Sequence, residues 1–209
     1  MIDKLTPLTT AKVVAVIRGP SREGTVRAVR ALVDGGITGI EITYSTPDAT
    51  EVIAELHDRY GHEIVLGAGT VLTATQAKEA AEAGASFLVS PGTTSELAAA
   101  MRATGLVTLF GSLTPSEVLQ AIAWGADVVK LFPASLGGPR YLKGLRGPFP
   151  DVPFCPTGGV NPATMQDWFS AGAVVVGAGS ELCSASDIAH GRWDTLTDNA
   201  RAFAAAAGL

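Results

Sequence analysis

A chain of 209 residues, 47% hydrophobic and 17% charged, has the composition of a folded protein with one sizeable core and excludes a disordered chain. Its formal net charge of -5 leaves no electrostatic footprint for nucleic acid or an anionic membrane surface, so any anion site has to be local. No apolar run approaches the roughly 20 residues that span a bilayer, and the opening MIDKLTPLTTAK lacks the apolar core of a signal peptide, which predicts a cytoplasmic protein with no nucleic-acid or membrane partner.

Short β-rich runs then alternate with amphipathic, alanine-rich segments. VVAVI from residue 13 is followed by the helical REGTVRAVRALVDGG from 22 and by GIEIT from 39. TPDATEVIAELHDRYG from 46 leads to EIVLGAG from 63, TATQAKEAAEAGA from 73 to SFLVS from 86, and TSELAAAMRATG from 94 to LVTLFG from 106. TPSEVLQAIAWGA from 114 precedes DVVKLF from 127, VPFCPTGG follows from 152, and NPATMQDWFSAGA from 161 leads to VVVGAGS from 174. Thr46-Pro47, Thr114-Pro115 and Asn161-Pro162 each set an N-cap residue before a proline at the first helical position. Thr73 with Gln76, Thr93 with Glu96 and Thr114 with Glu117 fit capping boxes, and Gly36, Gly84, Gly105, Gly125 and Gly172 supply helix stops.

Eight β/α units in about two hundred residues predict an α/β fold: one domain, residues 1–209, closed as a parallel (β/α)8 TIM barrel near the small end of that architecture. The competing doubly wound sheet usually has fewer strands and carries a glycine-rich fingerprint after its first strand, where this chain reads IRGPSREG.

Within DVVKLFP, residues 127–133, Lys130 interrupts a run that reads as a buried strand. Lysine is almost never fully buried unless paired, and unpaired burial drives it toward the neutral, nucleophilic amine. Lys130 is therefore either a Schiff-base lysine or a strand-end residue that snorkels to solvent or meets a structural carboxylate. Strand alternation puts Gly39, Glu41 and Thr43 on one face, and Val128, Lys130 and Phe132 on another. If both faces point inward, Glu41 and Lys130 share the barrel interior, as a proton shuttle beside an amine or as a structural ion pair.

TGGVNP at 157–162 and GAGS at 177–180 close the seventh and eighth strands, where barrels commonly bind phosphate, and their glycines and Ser180 suit an oxyanion. Arg18 after the first strand and Thr70 after the third could hold a carboxylate by a guanidinium fork and a hydroxyl, or be a loop ion pair and a strand-end cap. The Arg140, Lys143 and Arg146 run reads as a solvated helix face. Cys155 and Cys183 lack CxxC spacing and read as packing residues, while His57, His62 and His190 fall in helix or loop segments without metal-ligand spacing.

As an ordered set, IEIT, GAGT, SPG, VKLFPA, FCPTGG and GAGS resemble the family of 2-keto-3-deoxy-6-phosphogluconate (KDPG) and 4-hydroxy-2-oxoglutarate (KHG) aldolases over nearly the whole chain. The resemblance implies a class I aldolase that releases pyruvate, with Lys130 as the imine-forming nucleophile and Glu41 as the general acid/base. It implies Thr70, Pro91 and Phe132 around the pyruvyl portion, Thr157 near the hydroxylated carbons, and Gly158, Gly159, Gly179 and Ser180 at the phosphate. It also implies a homotrimer, no cofactor and no metal, and small-molecule partners only: a phosphorylated keto acid and pyruvate. Many gluconate-type relatives carry an arginine for the carboxylate where this chain has Ser45, whereas Arg18 resembles the arginine of the galactonate-type enzymes. Thr157 matches the gluconate type. The competing functions are a phosphosugar epimerase or isomerase, which would need inward histidine and acidic ligands, and a phosphosugar-binding barrel without chemistry.

Overall fold

A computed structural model describes residues 4–209; the first three residues of the MIDKLTPLTTAK segment lie outside the described residues. The chain opens with α1 (Thr6–Ala11), then alternates: β1 (Val13–Ile17), α2 (Arg22–Asp34), β2 (Gly39–Thr43), α3 (Ala49–Tyr60), β3 (Val65–Gly69), α4 (Ala74–Glu82), β4 (Phe87–Val89) and α5 (Ser95–Ala103). It continues through β5 (Val107–Ser112), α6 (Pro115–Ala123), β6 (Val128–Leu131), α7 (Gly138–Arg146), β7 (Phe154–Pro156), α8 (Met165–Ser170), β8 (Val176–Ala178), α9 (Ala185–Ala189) and α10 (Trp193–Ala207). All eight strands are parallel, in the order β7-β6-β5-β4-β3-β2-β1-β8. The ring closes between β7 and β8 through the isolated bridges Thr157–Gly177 and Phe154–Ala173, giving the TIM barrel that the alternation predicts.

The strands are buried on both faces, and the two faces do different work. Outward residues such as Ile17, Ile40, Ile42, Ala68, Leu88, Val129 and Leu131 pack against the helices in one apolar layer. Inward residues Val14, Phe87, Val89, Val107, Leu109, Val128, Cys155 and Val175 fill the lower barrel, and Leu8 of α1 packs into the same cluster. A small barrel has little interior room. Gly67 shows how it is found: a Cβ there would run into the Phe87 ring, so the aromatic plug depends on a bare neighbour.

Helix starts follow the hydroxyl chemistry at Thr73 and Thr114, which form complete capping boxes with Gln76 and Glu117. Two boundary readings need correction. Thr46 does not cap α3, which follows Asp48 at φ +53°; its buried hydroxyl is committed to the β1 end, accepting the Gly19 N–H. Thr93 and Glu96 form no capping box, because Thr94 is the cap of α5 and accepts the Leu97 N–H, while Thr93 bonds Ser90 at 2.6 Å. Asn161 caps as expected, but a 3-10 turn at Pro162–Thr164 intervenes before α8. The five glycine stops all have positive φ. Arg140 and Lys143 are exposed as expected, but Arg146 is half-buried and structural, donating to the Gly172 carbonyl at 3.2 Å and to the Pro150 carbonyl. Among the described residues no helix is long and apolar enough to cross a membrane.

Candidate active site

Parallel strands deliver their C-terminal ends to one face of the barrel, and the residues assigned to the site from the sequence lie on those strands or just past their ends. The centre is a buried pair. Glu41 on β2 and Lys130 on β6 are each 3% exposed, with Lys130 Nζ 3.8 Å from Glu41 Oε1. The inward alternation of both strands is therefore as expected, and the lysine has a carboxylate within electrostatic reach.

The pair is not a finished salt bridge. At 3.8 Å the contact is longer than a charge-assisted hydrogen bond, and Glu41 Oε1 is buried without any hydrogen-bond partner among the described residues. Buried polar atoms are rarely left so, and the exceptions concentrate where chemistry needs a free lone pair. Burial pushes the Glu41 carboxyl above the usual carboxylate range, while Lys130 and Arg18 pull it back. A carboxyl whose proton affinity is raised by burial is suited to take and return a proton. Gly69 makes its room: a Cβ there would occupy the Glu41 carboxylate.

Lys130 Nζ lies over the Phe132 ring, 5.2 Å from its centroid, in cation–π range. Register sets Lys130 between Gly111 of β5 and Cys155 of β7. Burial pushes the Cys155 thiol up to about 12, against the opposing pull of Lys130, so it stays a neutral packing group under the amine. The inward Gly111 leaves space for the Pro91 carbonyl, which brings the loop after β4 over the neighbouring strand.

Thr157 is buried just past β7; its N–H donates to Leu131 O at 3.0 Å and its carbonyl accepts the Ala134 N–H at 2.9 Å. Among the described residues its hydroxyl has the Cys155 sulfur as its hydrogen-bond contact, at 3.9 Å, and it packs against the bare Gly177 of β8. Gly158 and Gly159 follow with φ of +96° and +77°, a backbone only glycine adopts freely, and lie against Phe132 and Ser135 respectively. Across the β7–β8 closure Gly179 faces open space, and Ser180 is exposed beside it. Thr70 ends β3 half-buried at φ +54°, a genuine outlier for a β-branched residue. Arg18 is exposed at the end of β1 and donates to Ser45 Oγ at 3.5 Å.

Sequence reasoning overlooked the parts that carry no obvious chemistry, Gly69 and Gly111, whose bareness admits Glu41 and the Pro91 loop, whereas Cys155 is the packing residue it was read as, beside the lysine. The alternating glycines of GAG were the available signal. Concavity is a poorer guide, since a cleft of about 580 Å³ on the flank is lined by Arg22, Glu55 and Arg59, which pair with one another. His57, His62 and His190 are all exposed on helices or turns outside the barrel, which leaves the epimerase reading without inward histidine ligands.

The chain matches the family model described as KDPG and KHG aldolase over residues 5–199. It is 38% identical to the KHG/KDPG aldolase of Escherichia coli K12 over 93% of this chain and 91% of that protein. It is 33% identical to the 2-dehydro-3-deoxy-6-phosphogalactonate aldolase of the same strain, over 83% and 85% respectively. Among solved structures it superposes on Legionella pneumophila KDPG aldolase, with pyruvate captured at low pH as a covalent carbinolamine intermediate, with a TM-score of 0.88 at 32% identity over 96% of this chain and 98% of that one.

Proposed function

The chain belongs to the KDPG and KHG aldolase family, and on that premise we propose that Lys130 and Glu41 perform its carbon–carbon bond cleavage. The protein is a class I aldolase that releases pyruvate from a KDPG-like keto acid. Lys130 adds to the C2 carbonyl, and loss of water gives the protonated imine. Glu41, through water, takes the proton of the C4 hydroxyl as the C3–C4 bond breaks, and the bonding electrons flow into the imine to give an enamine instead of a free carbanion. The aldehyde leaves, the enamine is protonated at C3, and hydrolysis of the imine frees pyruvate and regenerates the amine.

The observation that carries this reading is the pair itself: a buried amine 3.8 Å from a buried carboxylate oxygen that has no other partner, at the end of the barrel where substrates enter. Thr70, Pro91 and Phe132 border the pyruvyl portion, Arg18 takes its carboxylate, and Thr157 faces the hydroxylated carbons. Gly158, Gly159, Gly179 and Ser180 hold the phosphate, with local backbone N–H groups in place of a basic surface. The substrate is KDPG, giving glyceraldehyde 3-phosphate, with 4-hydroxy-2-oxoglutarate cleaved to pyruvate and glyoxylate as a second activity. A homotrimer in the cytoplasm completes the proposal; the exposed Leu119 and Ile122 on α6, with Leu136 nearby in sequence, are apolar surface for subunit contact.

Borohydride reduction in the presence of pyruvate should label Lys130, and Lys130→Ala should abolish both label and turnover. Labelling of another lysine, or none, would end the imine assignment. Relative kcat/KM for the gluconate-type, galactonate-type and hydroxy-oxoglutarate substrates, with Thr157→Val as the comparison, ranks the substrates, and sedimentation velocity tests the trimer.

A further inference from the structure

We propose that Ser45 is a positioning residue that aims the Arg18 guanidinium across the barrel mouth, through a hydroxyl relay whose polarity is set by the Ile17 carbonyl; the proposal rests on reading Arg18 as the carboxylate contact. Three hydroxyls from one short segment, Thr43, Ser45 and Thr46, act on residues 17–19. Thr46 Oγ1 accepts the Gly19 N–H at 3.1 Å, and Thr43 Oγ1 donates to the Ile17 carbonyl at 2.9 Å, so the backbone is held on both sides of Arg18.

The side chain is held by a different contact. Arg18 makes no ion pair among the described residues, and the hydrogen bond of its guanidinium goes to Ser45 Oγ at 3.5 Å. A hydroxyl has one proton to give. Ile17 O can only accept, and Thr43 Oγ1 reaches it at 2.9 Å against 3.5 Å for Thr46 Oγ1, so we assign the Thr43 proton to Ile17 O; in the 2.8 Å contact between Thr43 and Ser45 it is then Ser45 that donates and Thr43 that accepts. The proton of Ser45 is thereby committed inward, and only lone pairs remain for Arg18. A cation meets a pure acceptor, and the other N–H donors of its fork stay free for an incoming carboxylate. The 3.5 Å contact is long, which suits a group that must be aimed without being consumed.

The test compares two ketones trapped by borohydride as imines on Lys130: pyruvate, which has a carboxylate, and acetone, which lacks one. Ser45→Ala should raise the pyruvate concentration for half-maximal trapping about fivefold, the size of one modest hydrogen bond, and leave acetone unchanged. Ser45→Thr should restore pyruvate, and in an Arg18→Ala background Ser45→Ala should add nothing. If Arg18→Ala weakens pyruvate and Ser45→Ala does not, the relay is wrong and the Arg18 assignment stands. If Arg18→Ala has no effect, the carboxylate reading itself fails and the relay with it. Equal weakening of both ketones by Ser45→Ala would mark general damage to the site and also overturn the proposal.

Discussion

Gly69→Ala is the sharpest probe of the proton shuttle, because it alters neither reacting group. The Gly69 backbone is not in the left-handed region, so alanine is conformationally acceptable there. Its Cβ, however, would lie 2.6 Å from Glu41 Cγ and nearer still to the carboxylate, where ordinary contact begins at 3.4 Å. Glu41 therefore has to shift by about 0.8 Å at Cγ and about 1.6 Å at Oε1, and misplacement of 1 Å or more costs at least about 10²-fold in rate, or about 2.7 kcal/mol of barrier. Stability should fall by no more than about 2–3 kcal/mol, because the lower chain entropy of alanine in the unfolded state, about 0.4–1 kcal/mol, offsets part of an overpacking cost of about 1–3 kcal/mol. Initial rates of pyruvate release by a lactate-dehydrogenase-coupled assay should fall about 10²-fold, while borohydride trapping of saturating pyruvate on Lys130 still goes to completion. In a Glu41→Ala background the glycine change should cost nothing further, since the carboxylate it displaces is gone. Turnover within twofold of wild type in Gly69→Ala would refute both the Glu41 position and its assigned role.

The pH dependence carries a second prediction. Glu41 acts as proton acceptor in its ionised form and burial raises its pKa, so kcat/KM should fall with decreasing pH at a midpoint above the ordinary value of 4.5. Glu41→Gln, slower by about 10²–10⁴-fold, should lack this limb; an unchanged acid limb in the variant would assign it to another group. Thr70→Gly should relieve about 1–2 kcal/mol of left-handed strain against about 0.5–1 kcal/mol of added chain entropy, raising the thermal midpoint slightly while weakening pyruvate trapping. A drop in the midpoint would remove the strain argument, and unchanged trapping would remove Thr70 from the site. Cys155 and Cys183 are buried, with thiols pushed up to about 12, so an aromatic disulfide reagent at pH 8 should label neither until the chain is unfolded. Rapid labelling of Cys155 in the native enzyme would contradict its place beneath Lys130.

The barrel was legible because its signals are local. Apolar runs separated by Thr-Pro, Asn-Pro and glycine stops mark the β/α units, and strand alternation grouped Glu41 with Gly39 and Thr43, and Lys130 with Val128 and Phe132, while which face points inward took the closed barrel to decide. The errors have physical causes. Thr46 and Thr93 look like caps by residue type, but a hydroxyl follows the nearest unsatisfied donor or acceptor, which for these two lies at Gly19 and Ser90. The α10 helix was passed over although Leu196, Ala200, Phe203, Ala204 and Ala207 give it a regular buried face, because it adds a layer outside the β/α count. Its seat on α2 depends on contacts distant in sequence, such as the Thr197 hydroxyl on Ala31 O at 3.0 Å. The bare space at Gly69 and the proton order from Ser45 to Ile17 are properties of three strands at once, and no single segment encodes them.

The join between β7 and β8 is built differently from those between the other neighbouring strands. Elsewhere neighbouring strands share continuous ladders, whereas this seam is held by two isolated bridges, Thr157–Gly177 and Phe154–Ala173. The glycines assigned to the phosphate stand on opposite banks of it, Gly158 and Gly159 on one side and Gly179 on the other. A phosphate spanning them would act as a rivet, supplying across the seam the hydrogen bonds that the sheet itself omits.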